Sequence, residues 1–347
     1  MDFLKDILKE IKDEYTNLAS DINEEETYVD TGSYIFNGLV SGSIYGGVSG
    51  NRITAIAGET STGKTFFSLA VVKNFLDTNP DSYVLYFDTE AAITKSLLES
   101  RGVPTNRLVV INVVTVEEFR NKALKAVDIF LKKPADQRKP CMFVLDSLGM
   151  LSTNKEINDV LNDKDVKDMT KSSLIKGAFR MLTLKLGQAN IPLIVTNHTY
   201  DVIGSYFPTK EMGGGSGLKY AASTIIYLSK SKEKEGTEVV GNIVKAKTNK
   251  SRLTKENKQV EVRLFYDERG LDRYYGLLDL AEKHEIVKKI GTRYEINGVT
   301  AYAKSIYANP EKYFTKELMQ YLDAAAKMEF TYGGESCTDD TEELAKS

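Results

Sequence analysis

Eight consecutive residues, GETSTGKT from Gly58 to Thr65, fit the pattern of a loop that wraps phosphate groups. Gly58 and Gly63 permit backbone conformations that turn amides toward phosphate oxygens. Glu59, Thr60, Ser61 and Thr62 fill out the cradle, Lys64 reaches the terminal phosphates, and Thr65 offers a hydroxyl to Mg2+. The expected ligand is ATP with its magnesium ion. Such a loop requires a strand before it and a helix after it, and the flanking runs RITAIA and TFFSLAVVKNFL supply both.

Hydrolysis needs acids at the same edge of the sheet. Asp146 ends the apolar run CMFVLD and is the expected Walker B carboxylate, holding through water the magnesium that Thr65 coordinates. A second carboxylate must orient the attacking water, and Glu90, just beyond the run YVLYF, is the candidate. Asp88 stands two residues earlier. A strand repeats every two residues, so both acids fall on one side and spacing alone does not separate them.

The elements that must position these residues are legible as an alternation. Short β-rich apolar runs, among them LVVINV, PLIVTNH, ASTIIYLS and GNIVKAK, are separated by amphipathic stretches such as AITKSLLESRG and VEEFRNKALKAVDIFLKK. This predicts an α/β fold, a mainly parallel twisted sheet flanked by helices. Residues 1–30 read as an N-terminal arm: Phe3, Leu4, Ile7, Leu8 and Ile11 form one helical face that packs either on its own core or on a neighbouring subunit, and an acidic linker follows. Residues 31–269 form the nucleotide-binding core. Residues 270–332 form a small C-terminal domain, with a helix around LLDLAEKHEIVKK, a hairpin turning at Asn297-Gly298 and a final helix TKELMQYLDAAAKM. Residues 333–347 are an acidic tail.

Composition narrows the function classes. The 347 residues carry a net charge of -3, so any nucleic-acid contact must come from a local basic stripe. Two cysteines and two histidines, widely spaced, match no zinc or disulfide framework. No apolar run reaches membrane-spanning length, and MDFLKDILKEIKDEY places acids where a secretory signal has a basic end, so a cytoplasmic location is expected.

The ordered set GETSTGKT, LYFDTE, FVLDS, VTNH and GGGSGLKYAAS resembles the RecA-type strand-exchange recombinases, most closely those of the bacteriophage UvsX group. The resemblance runs from about Thr31 to the segment FYDERG and weakens beyond it. It implies a DNA-dependent ATPase with a RecA-like core that forms helical filaments on single-stranded DNA and exchanges strands with a homologous duplex. Implied partners are further copies of the chain and single-strand-binding and mediator proteins; the implied setting is recombination, repair and replication in the host cytoplasm of a phage.

The resemblance also assigns roles. It makes Glu90 the water-activating residue and puts Asn197 and His198 at the switch that senses the terminal phosphate. It places two DNA-binding loops, one within Ser152 to Met169 and the other within Thr199 to Gly217. In the second, Gly213, Gly214 and Gly215 let the backbone approach phosphates, Lys210 adds charge, and Tyr206 and Phe207 offer stacking faces. Lys245 and Lys247 are implied to reach a neighbour's nucleotide, as an arginine finger acts in trans; Lys250 and Arg252 are candidates for DNA contact. Leu97 stands where the bacterial proteins stack a tyrosine on the base, which leaves base selectivity open. A hexameric helicase on the same core is the alternative, and a signalling ATPase without DNA a third reading.

Overall fold

The computed structural model describes residues 2–11, 27–164, 168–201, 210–235 and 238–333. Helix α1 (Asp2–Ile11) carries Leu4, Ile7 and Ile11 exposed. A two-stranded ribbon, β1 (Tyr28–Val29) against β2 (Val48–Ser49), brackets α2 (Tyr34–Ser41). The nucleotide-binding unit then runs β3 (Ile53–Gly58), α3 (Lys64–Thr78), β4 (Tyr83–Asp88), α4 (Lys95–Ser100), β5 (Leu108–Asn112), α5 (Val116–Leu131) and β6 (Cys141–Asp146). After it come α6 (Asn154–Leu161), α7 (Lys171–Ala189), β7 (Leu193–Asp201), β8 (Lys210–Met212), α8 (Ser216–Ala221), β9 (Thr224–Glu235), β10 (Glu238–Ser251) and β11 (Gln259–Phe265).

The main sheet has nine strands in the order β11-β10-β9-β3-β7-β6-β4-β5, with β8 paired to β7. From β9 to β5 the strands are parallel; β10 and β11 extend the sheet antiparallel. Strands β3 and β6 are buried along their whole length, the pattern of a parallel sheet covered on both faces. Their side chains divide between two cores. Tyr86 of β4 points into the core with Phe36 and Phe67, and its neighbour Phe87 into the other with Phe119, Phe143 and Phe179. Helix α5 seals the second core with Val116, Phe119, Ala123, Val127 and Phe130, spaced three or four residues apart, and starts where the Thr115 hydroxyl accepts from the Glu118 amide.

The segment after Gly270 comprises α9 (Leu277–Lys283), β12 (Lys288–Ile290), β13 (Arg293–Ile296), β14 (Val299–Tyr302), α10 (Ala303–Ala308), α11 (Pro310–Tyr313) and α12 (Lys316–Phe330). The expected hairpin forms with Asn297 and Gly298 both at positive φ, 50° and 76°. The helix expected across LLDLAEKHEIVKK stops at Lys283, because Glu285 turns left-handed at φ 57° and the chain continues as β12. Leu277, Leu280, Leu322 and Phe330 share one apolar core with Phe36, Leu39 and Phe67. No helix among the described residues is long and apolar enough to cross a membrane.

Candidate nucleotide site and the elements that reach it

Strands β3, β7, β6 and β4 end side by side, and the loops that leave their carboxyl ends form the crevice expected of an open parallel sheet. At its floor, Gly63 sits at φ 91° and starts α3, while a side chain on Gly58 would lie 2.9 Å from the Leu228 carbonyl. Glycine is required at both. The Lys64 ammonium donates to the carbonyls of Gly58 at 3.0 Å and Glu59 at 2.8 Å, folding the side chain back over the loop. Burial pulls its pKa below the ordinary lysine value, against the pull of Asp146 and Glu90.

Asp146 is 7% exposed, and a buried carboxylate needs donors. Its Oδ2 receives the hydroxyls of Thr65 and Tyr86, each at 2.7 Å, and its Oδ1 receives the Thr196 hydroxyl. Burial, then the Asp146 charge, push the Tyr86 phenol well above its ordinary pKa, so it remains a donor.

Asp88 and Glu90 differ in their contacts. Asp88 is 3% exposed, and its two oxygens accept the amides of Glu90 and Ile93, each at 3.0 Å, so it shapes the turn after β4. Glu90 projects into the crevice, where the Ser147 hydroxyl donates to its Oε1 at 3.0 Å. The turn is fastened across to β6: the Thr89 hydroxyl donates to the carbonyl of Ser147 at 3.0 Å and accepts the Ser147 amide at 2.8 Å. His198 bridges the group, with Nδ1 3.5 Å from the Lys64 ammonium and Nε2 3.6 Å from Glu90 Oε1.

These residues line a cavity of about 650 Å3, within the range of small-molecule sites. Phe66, Ala92, Leu97 and Tyr266 also line it, and Lys230 and Asn242 reach it beside the phosphate loop, where the Lys230 ammonium donates to the Ser61 carbonyl and a side chain on Gly63 would lie 3.8 Å from the Asn242 amide nitrogen. Asn242 is 1% exposed, and neither polar atom of its amide has a partner among the described residues. Both atoms are enclosed beside the phosphate loop. The cavity therefore fits a nucleotide, and the Thr65 hydroxyl and Asp146 carboxylate, converging on one point, fit a Mg2+ ion completed by phosphate oxygens and water.

The model of the RecA N-terminal domain matches residues 3–272. The chain belongs to the RecA family. It is 33% identical over 263 residues to the recombination and repair protein of Enterobacteria phage T4, a match covering 76% of this chain and 65% of that protein. It is 30% identical over 255 residues to protein RecA of Streptomyces rimosus, covering 73% of this chain and 64% of that one. Protein RecA of Clavibacter michiganensis is 29% identical over 283 residues, covering 81% and 74%. The chain thus spans just under two thirds of the length of the first two relatives.

In this RecA-family chain, Thr60, Ser61, Gly63, Lys64, Thr65, Glu90, Asp146 and His198 all line the cavity. Asn197 sits behind it, its amide donating to the Gly213 carbonyl at 2.8 Å while the Gly213 amide donates to the His198 carbonyl at 3.0 Å. Lys210 pairs with Glu59 of the phosphate loop. Gly214 and Gly215 both take positive φ, 85° and 75°, as the chain turns into α8. Tyr206 and Phe207 lie outside the described residues.

Lys245 and Lys247 are not brought to this cavity. They project from the exposed face of β10, alternating with buried Val244, Ala246 and Thr248, and Lys245 lies 3.5 Å from Glu261. Lys250 is instead built into the fold: its ammonium donates to the carbonyls of Lys219 at 2.5 Å and Ala222 at 2.9 Å, closing the end of α8. Within the first expected DNA loop, α6 is capped reciprocally by Thr153 and Glu156, and the Thr153 hydroxyl donates to Asp168 at 2.5 Å. That bond, with the hydroxyl and amide of Thr170, holds the Asp168 carboxyl down at about 2.

Sequence reasoning missed Tyr86, Thr196, Asn242, Lys230, Phe66 and Tyr266. Asn242 had a signal: it opens the inward-facing series Asn242, Val244, Ala246, in which a lone amide is out of place.

Proposed function

We propose that this chain is an ATP-dependent DNA recombinase that polymerises as a helical filament on single-stranded DNA and exchanges it into a homologous duplex. The observation that carries the reading is the direct backbone link between the phosphate-facing end of β7 and the glycine tract, through Gly213 to His198 and Asn197. Family membership and relatives named for recombination and repair support this reading over a ring helicase.

In the proposed reaction, the loop amides and Lys64 bind the phosphates of ATP, and Thr65 with Asp146 would hold the Mg2+ ion that accompanies it. The ion, when bound, neutralises charge on the phosphates. Glu90, oriented by Ser147, accepts a proton from the attacking water. His198 stands between Lys64 and Glu90, where a terminal phosphate meets it, and its strand leads into the loop proposed to hold DNA. Lys245 and Lys247 are free to approach the cavity of an adjoining subunit. The glycine tract and Lys210 act on the DNA backbone, with Asn197 and His198 as the switch between nucleotide and loop, and base pairing supplies sequence recognition. Single-strand-binding and mediator proteins are expected partners, in a host-cell cytoplasm.

The test is ATP hydrolysis with and without single-stranded DNA, with electron microscopy of the same samples in a slowly hydrolysed ATP analogue. DNA-stimulated hydrolysis with long helical filaments is expected, and strand exchange between homologous substrates should follow. Discrete rings, or hydrolysis indifferent to DNA, would overturn the reading.

A further inference from the structure

Three hydroxyls from three elements hold the Asp146 carboxylate, and the one from Tyr86 plays no part in the reaction as described. Tyr86 is fully buried in β4, its ring in the core with Phe36 and Phe67, where an apolar side chain would satisfy packing. Its hydroxyl nevertheless reaches Asp146 Oδ2 at 2.7 Å and lies 3.4 Å from the Ser68 hydroxyl of α3. A buried phenol is kept where its hydroxyl has a partner, and here that partner is the oxygen that also accepts from Thr65.

Thr65 shares the same Oδ2. A Thr65 hydroxyl that turns its oxygen toward a cation changes its own hydrogen bond, whereas Tyr86 and Thr196 approach Asp146 from inside the protein and face no ligand. They are therefore the donors that remain when the site fills. We infer that Tyr86 is a positioning residue of the magnesium site, its hydroxyl fixing the Asp146 carboxylate in the orientation that, with Thr65, receives the metal-nucleotide complex. The inference rests on the nucleotide reading above and adds to it a residue from the hydrophobic core.

Outer-shell partners of metal ligands are worth about 10–100-fold in metal affinity. The full-length protein and Tyr86→Phe would be titrated with Mg2+ in the presence of a fluorescent, slowly hydrolysed ATP analogue, with a parallel measurement in EDTA and a melting curve. The expected result is a magnesium midpoint raised about tenfold in Tyr86→Phe, with binding in EDTA unchanged. In an Asp146→Asn background the same substitution should add nothing, because Tyr86 acts through that carboxylate. An unchanged midpoint, an equal loss with and without magnesium, or full additivity with Asp146→Asn would each overturn the inference while leaving the nucleotide site intact. A wild-type protein whose binding ignores magnesium would overturn both.

Discussion

Within one cavity, the side chains of Lys64, Thr65, Glu90 and Asp146 each have a protein partner, while the Asn242 amide, beside Gly63, has none among the described residues and the lining from Phe66, Leu97 and Tyr266 is apolar or aromatic. The partnered groups rise from central strands whose backbones are paired on both sides; the others come from helix ends and the antiparallel extension. The difference teaches where preorganisation is placed. Groups that must act on a developing charge are held before the ligand arrives, and groups that only hold the rest of the ligand wait for it.

The largest effect is expected among the held groups. Lys64→Ala should reduce ATP turnover by about 10²–10³-fold and weaken nucleotide binding, measured by steady-state hydrolysis and equilibrium titration. Glu90→Gln should lower turnover about 100-fold while leaving ATP-dependent assembly in place, since it touches the water and not the phosphates. Asp88→Asn sharpens the contrast: its single carbonyl oxygen keeps one of the two amide bonds to Glu90 and Ile93 and loses the other, which loosens the turn but leaves the Glu90 carboxylate in place, so turnover should fall less than in Glu90→Gln. If the two variants lose activity equally, the assignment of separate roles fails.

Among the waiting groups, Asn242→Ala should weaken nucleotide affinity about tenfold with the rate constant at saturation unchanged, a split that steady-state kinetics reads directly. A fall in rate at saturation instead would place Asn242 among the held groups and break the comparison.

The smallest effect lies away from both. Burial alone would raise the Glu329 carboxyl, but hydrogen bonds from Lys258 and Lys283 bring it down from 4.5 to about 2. A depressed acid stabilises the fold above its ordinary pKa and loses that contribution as pH falls toward its folded value. Glu329→Gln should therefore cost about 1 kcal/mol at neutral pH, with the gap to wild type closing between pH 4.5 and 2. Nucleotide binding should not move. A melting series against pH decides it.

How much of this was legible in the sequence follows the same division. The loop from Gly58 to Thr65, Asp146 at the end of its strand and the turn at Asn297-Gly298 are local patterns, and each formed where local chemistry put it. Asp88 and Glu90 were indistinguishable because a two-residue period presents them alike, and only the backbone amides that claim Asp88 separate them. Tyr86 was hidden in an apolar run, since a phenol counts as one more core residue until its partner 60 positions away is known. Asn242 and Tyr266 come from strands and loops far along the chain, and their convergence on the cavity is a property of strand order, which periodicity does not encode.

The register of β7 has one more consequence. Gly58 pairs with His198 at the tip of β3, the pairing with β6 ends at Val195, and beyond it the Gly213 amide and β8 take up β7, so the backbone at His198 is held between the phosphate loop and the glycine tract. A residue mounted this way has only its side-chain torsions to move, and those occupy a few discrete wells. In the proposed recombinase, a change at His198 would accordingly be a discrete step between side-chain positions, on the fast timescale of a rotamer.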